Sequence, residues 1–376
     1  MTDLLDARSV HRCSFPRVVS RSILLVLCVI GLDAHCAKVV DTGAYLARDA
    51  KIFWSNDDAI IFAGYEGSGG VPQQLRPPFP KPVEVARLLE YESSSRRLND
   101  RGVVGAGGLC FDSGFVRYAR PVDGATGGSK WQPLYGRYGQ EAPLPPPPAR
   151  ANASHLERSW NCKFEHELSA LPLWASGRQI KRLRPEHGFL EFAGGGSNWY
   201  PVRVIRANSS GDGAALKVFE GLDTDWPPVY EAFSNTYLIS GRRPAAGGVA
   251  RYELWRLSPD GRADVLLTIV REGETQGRLI RAGSGKEARF PGPVSVILPL
   301  KNNRYVFDGG ALEKGGRLGG MGLYVFDQGA IRKIAKGRVA ALVVSPNACR
   351  AAAGLDPQDP AGPDQFRVHV LDVCEE

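Results

Sequence analysis

Lys51-Ile-Phe-Trp-Ser-Asn-Asp-Asp-Ala-Ile-Ile-Phe-Ala-Gly64 and Ala340-Ala-Leu-Val-Val-Ser-Pro-Asn-Ala-Cys-Arg-Ala-Ala-Ala-Gly354 are two copies of one phrase. In each, a short apolar run meets a tight polar turn and a second apolar run comes back. Weaker copies occupy 108–120, 189–205, 229–240 and 294–308, making six in a chain of 376 residues. Ser, Asn, Asp and Gly are the residues that tight reversals require, and β-branched and aromatic residues suit the flanking strands. Self-similarity at this scale means that each unit is one supersecondary element burying its faces against its neighbours.

The architecture this predicts is all-β: a six-bladed β-propeller of four-stranded antiparallel blades. The first unit reads as strands at 52–54, 59–63, 86–92 and 96–98. The fourth reads as 229–233, 236–240, 252–257 and 263–269, and the fifth as 294–298, 304–308, 322–326 and 330–334. Tyr252-Glu-Leu-Trp-Arg-Leu257 alternates with the period of a half-exposed strand. The sixth unit stops after its third strand, leaving an open edge. Lys38-Val-Val-Asp41 is the strand candidate expected to pair beside 366–373 and close the ring.

Trp54-Ser-Asn-Asp-Asp-Ala-Ile-Ile-Phe62 and Val344-Ser-Pro-Asn-Ala-Cys-Arg-Ala-Ala352 resemble the repeat of TolB-type, WD40-like propellers, whose consensus reads roughly W-S-P-D-G-x-x-I-A-F. Leu323-Tyr-Val-Phe-Asp-Gln-Gly-Ala-Ile-Arg-Lys-Ile334 resembles the strand pair that follows it. The Pro-Asp-Gly turn is eroded here to Asn-Asp-Asp, Asp-Ser-Gly and Pro-Asn-Ala. The resemblance implies the fold and, in some members, an interaction role in the cell envelope. It implies no catalytic residue.

The N-terminus reads as a secretory leader over residues 1–37, with the propeller domain over 38–376. Arg8, Arg12, Arg17 and Arg21 precede the apolar run Ile23–Leu32, and small residues follow. Cleavage fits after Cys36 or after Ala37. A periplasmic or secreted protein is expected, the alternative being a chain anchored in the membrane through this segment; no later stretch is apolar enough to span a membrane. Net charge falls from +7 to +6 without residues 1–37, and no basic run suits nucleic acid. Arg178–Arg184 is the densest, and a solvated strand edge accounts for it.

Cysteine usage fits export. Cys110, Cys162, Cys349 and Cys374 lie beyond the leader and allow three pairings. If Asp356 faces Arg367 in the last hairpin, Cys349 falls opposite Cys374, and Cys110 with Cys162 follows by exclusion. No Cys-x-x-Cys pair exists to hold zinc, and no cofactor is expected.

One segment breaks the repeat. The Pro/Gly-rich insert at 121–167, placed within the second blade, carries Pro143-Leu-Pro-Pro-Pro-Pro148 and the aromatics Trp131, Tyr135, Tyr138 and Trp160. The second unit is expected to resume at 171–175 and 179–183. Long excursions on rigid scaffolds carry function disproportionately, and the four aromatics are the predicted binding residues.

Catalytic patterns are sparse. Glu165-His-Glu167 lacks the spacing that puts two imidazoles on one helix face, and Gly283-Ser-Gly-Lys286 lacks the first glycine and the hydroxyl of a phosphate loop. His369, between Val368 and Val370, reads as a structural residue facing a neighbouring blade. Two functions remain: an exported non-catalytic scaffold binding a protein or peptide of the envelope, and an enzyme acting on a glycan or related polymer at a channel mouth. The absence of a catalytic constellation and the aromatic insert favour the scaffold; an enzyme would gather acidic or histidine side chains from several strands at one mouth.

Overall fold

The computed structural model describes residues 38–67, 74–75, 83–105, 108–112, 114–122, 131–143, 178–184, 186–195, 198–205, 214–244, 251–271, 276–281, 285–291, 294–310, 320–356 and 365–374. Among these the protein is all-β, without an α-helix, and its strands form five antiparallel sheets.

The polar turns act as the repeat requires. The Asn56 side chain accepts from the backbone N–H of Asp58 and of Ala59 at 2.7 and 2.8 Å. Ser55 closes the reversal by donating its N–H to the Ala59 carbonyl at 2.9 Å. In the last copy the Asn347 side chain takes the Cys349 N–H at 3.0 Å and the Ser345 hydroxyl takes that of Arg350 at 2.9 Å. Short side chains thus satisfy the donors that the turn strips from the ladder.

The largest sheet joins the two ends of the chain. One part comprises Ile52–Trp54, Ala59–Glu66, Val83–Glu92 and Arg97–Gly105; the other comprises Arg338–Val344, Arg350–Asp356 and Arg367–Asp372. Lys38–Leu46 lies between them, as its expected pairing demands: Lys38 opposes Asp372 and Asp41 opposes His369, while Leu46 opposes Gly64. The second sheet is Cys110–Asp112, Phe115–Pro121, Trp131–Arg137 and Ala142–Pro143. The third is Arg178–Arg182, Phe189–Gly195, Asn198–Ile205 and Ala214–Ala215. The fourth begins with Asp223–Glu231, Thr236–Arg243, Arg251–Leu257 and Ala263–Arg271. The fifth is Val294–Leu300, Arg304–Gly309, Gly322–Asp327 and Ala330–Lys336.

Face-to-face packing follows chain order. Ile61, Ala63 and Leu88 pack on Val116 and Tyr118 of the second sheet. On the opposite face, Ile60, Phe62 and Leu89 pack on Ala352, Val368 and Val370. Leu190 and Phe192 meet Tyr237 and Ile239, Leu254 and Leu267 meet Phe307 and Phe326, and Val306 and Val325 meet Ala351 and Leu371. Strands buried on both faces explain why Ala59-Ile-Ile-Phe-Ala63 is a continuous apolar run rather than an alternating one. Each fully buried Phe or Ile there contributes roughly 1.5–3 kcal/mol. Sheets stacked face to face in sequence are the arrangement of a β-propeller.

Four sequence expectations differ from what is observed. The fourth sheet has six strands rather than four, because Gln276–Arg281 and Glu287–Pro291 extend it as an outer hairpin. Trp131–Arg137, expected in the insert, is the third strand of the second sheet, with Tyr118 opposite Leu134. The strand expected to resume that unit at 179–183 instead opens the third sheet, pairing Ile180 with Glu191. In the last hairpin Leu355, not Asp356, faces Arg367, so the register is shifted by one residue and the Cys349 carbonyl accepts from Val373 at 3.0 Å. The Cys349–Cys374 disulfide forms nonetheless, with Cα atoms 5.1 Å apart, because Cys374 follows the last paired residues. Cys110 is also disulfide-bonded. Cys162 and Trp160 lie outside the described residues, as do 1–37, 144–177 and Gly283.

Candidate functional site

The turns that follow the first strand of each repeat unit touch the adjoining unit. The Lys301 N–H donates to the Ala348 carbonyl at 2.8 Å, and the Asn347 N–H donates to an Asp57 carboxylate oxygen at 2.8 Å. Between the third and fourth sheets, the Arg184 N–H donates to the Tyr237 hydroxyl at 2.9 Å. The repeat therefore gathers these turns at one end of the body.

At that end Arg184, His187, Tyr230 and Tyr237 converge. The Arg184 guanidinium lies 3.9 Å from the centre of the Tyr230 ring. Tyr230 packs 5.4 Å from Tyr237, whose hydroxyl is 2.9 Å from Nδ1 of buried His187. Burial pushes the Tyr237 phenol up to about 12, so it stays protonated within this contact. The phenol hydroxyl is thus engaged by both the Arg184 N–H and the His187 ring.

The turn above this cluster is braced by hydrogen bonds and apolar at its tip. Glu231 accepts from Arg256 at 3.0 and 3.1 Å and from Thr236 at 3.2 Å, and also accepts from the Ser234 hydroxyl. Asn235 takes the Tyr230 hydroxyl at 2.8 Å. Phe233 is left 52% exposed at the tip and Val229 51% exposed on the strand leading to it. Sequence reading missed this group because its members come from two sheets; Val229, Tyr230 and Phe233 lie together in the fourth copy of the repeat, which was the available signal.

The predicted binding aromatics are placed differently. Trp131 is 9% exposed and packs with Ala119, Val85 and Val103 between the first two sheets. Tyr135 stacks on Phe115 with ring centres 5.8 Å apart, and Tyr138 meets Phe111 edge-on at 6.3 Å. Burial, with the nearby Glu90 charge, raises the Tyr138 phenol. These three help hold the second sheet together and to the first.

Among the described residues, the buried carboxylates are each matched by an arginine. Glu90 meets Arg101, and Glu191 meets Arg203 at 2.7 Å. Glu253 takes Arg243 at 3.2 Å and the Trp255 indole at 2.9 Å, and Asp356 meets Arg338. Such pairs are what burial of a charge requires. Among the described residues no group of three His, Cys, Asp or Glu is arranged to hold a metal ion. His369 donates Nδ1–H to the Arg367 carbonyl at 2.9 Å, and burial lowers its pKa.

No family model matches the chain, and no curated protein matches it. Among solved structures it is similar to the β-propeller domain of the Trilobed protease from Pyrococcus furiosus, with 9% identity and a TM-score of 0.35, covering 87% of this chain and 94% of that one. It is also similar to the Pyrococcus horikoshii acylaminoacyl peptidase, with 11% identity and a TM-score of 0.34, spanning 84% of this chain but half of that one. A dihydro-heme d1 dehydrogenase matches at 12% identity and a TM-score of 0.28, over 89% of this chain and 74% of the other.

Proposed function

We propose that the protein is an exported, non-catalytic scaffold: a six-bladed, TolB-like propeller, closed by its N-terminal strand, that binds a protein or peptide partner of the envelope. The observation that carries this reading is Phe233, half exposed on a turn braced by Glu231 and Arg256, above the Arg184–Tyr230 stack. Aromatic and arginine side chains on a preorganised support are the groups that dominate protein recognition. The arginine-matched carboxylates support a scaffold over a glycan-cleaving enzyme, since acid/base catalysis needs carboxyls free to exchange protons with substrate. The leader-like order of Arg8 to Arg21, the apolar run Ile23–Leu32 and the small residues after it supports export, and the packing of five of six neighbouring faces in chain order supports six blades.

The test is co-purification from the native cell after crosslinking, comparing the natural chain with Phe233→Asp. A partner present with the first and depleted at least tenfold with the second supports the reading. An equal yield of the same partner from both refutes this surface.

A further inference from the structure

The last polar turn carries a side chain that grips both ends of the chain. Arg350 Nε donates to Asp372 of the final strand at 2.7 Å. Its Nη1 reaches the Asp58 carboxylate at 2.7 Å and the Asp57 carbonyl at 3.1 Å, both in the first sheet's turn. Asp57 in turn accepts the Asn347 N–H at 2.8 Å. The Cys349–Cys374 disulfide sits directly beside this group: Cys349 precedes Arg350, and the Cys374 N–H donates to Asp372 at 3.1 Å. Asp372 is therefore held from one side by Arg350 and from the other by the backbone of the bridged cysteine. Its opposite residue across the other strand edge is Lys38, where the N-terminal strand begins to pair.

We infer that the disulfide is a redox-sensitive clasp: it fixes the turn that carries Asn347 and Arg350, and reducing it loosens the junction between the first sheet's turn, the last strand and the N-terminal strand. Neither cysteine is fully buried. The reductant is a dithiol. One of its thiolates attacks a sulfur of the bridge, forming a mixed disulfide and releasing the other cysteine as a thiolate. The donor's second thiol then displaces the attached cysteine, so the donor leaves as a disulfide and Cys349 and Cys374 take up two electrons and two protons as thiols. Arg350 then loses the restraint that holds it between Asp58 and Asp372. Its charge-assisted bonds no longer act as one unit, since their strength depends on fixed geometry.

Amide hydrogen exchange on the full chain tests this. Oxidised protein, protein treated with dithiothreitol, oxidised Cys349→Ser/Cys374→Ser and oxidised Arg350→Gln are compared. The double variant separates this bond from the one at Cys110. Peptides covering 38–46, 56–64 and 86–96 should exchange roughly tenfold to a hundredfold faster in the last three than in the first. Reduction should add little to Arg350→Gln, because both changes release the same junction. The strand 236–243, far from it, should stay protected in all four, which shows that the protein remains folded. Unchanged exchange at 38–46 and 56–64 on loss of the bridge overturns the inference. A uniform rise that includes 236–243 also overturns it, because the bond would then support the whole body rather than this junction.

Discussion

A Cβ built on Gly64 would stand 2.2 Å from the carbonyl oxygen of Tyr45. Gly64 is the residue at which the second strand of the first sheet meets the N-terminal strand, opposite Leu46. The glycine is required by close approach of two backbones, not by an unusual dihedral. Gly64→Ala should therefore separate the N-terminal strand and destabilise the protein by about 1–3 kcal/mol, the usual range for overpacking. Urea denaturation of the two chains measures it. Equal midpoints would mean that the strand does not lie there.

Much of this junction was readable in the chain. The Ser-Asn turn chemistry at 55–59 and 345–350 and the N-terminal strand follow from local residues and their spacing, and the Cys349–Cys374 pairing was expected too, though from a hairpin register one residue off. What escaped was non-local or masked by composition. Pro133 and Gly136 interrupt Trp131–Arg137, so a strand reads as a loop until its pairing with Phe115–Pro121 is seen. The outer hairpin at 276–291 adds to a sheet that the repeat already filled. Arg184 meets Tyr230 only because two turns from different sheets share one end.

The Glu191–Arg203 pair joins adjacent strands, with the carboxylate side chain 5% exposed. Arg203→Met leaves that charge buried without its partner and should cost about 3–5 kcal/mol. The double variant Glu191→Leu/Arg203→Met removes both charges and should recover most of the loss. Thermal melting of the three chains reports it; a double variant as unstable as the single one would contradict the pairing argument.

Breaking the bridge by Cys374→Ser should cost about 3 kcal/mol, in line with its sequence separation of 25 residues. Peptide mapping without reductant should recover Cys349 and Cys374 as one linked pair. Free thiols at both positions in the purified, unreduced protein would contradict the structure.

His369 gives the acid limb of stability a definite sign. Burial lowers its pKa below the ordinary 6.5, so the unfolded chain binds the proton more readily. Its contribution is intact above about pH 6.5 and is lost as pH falls from there towards the lower pKa of the folded protein. His369→Gln should flatten that part of the stability profile. The measurement is the denaturation midpoint between pH 7.5 and 5; a variant that keeps the natural slope would assign the effect to other groups.

The central claim is that a partner docks where Phe233 projects. A photoreactive residue placed at 233, and separately at the equally exposed Val122 beyond the second strand of the second sheet, tests it in the native cell. The account predicts one discrete crosslinked species from position 233 and none of it from 122. Crosslinking of that species from 122 alone, or equally from both, would contradict it.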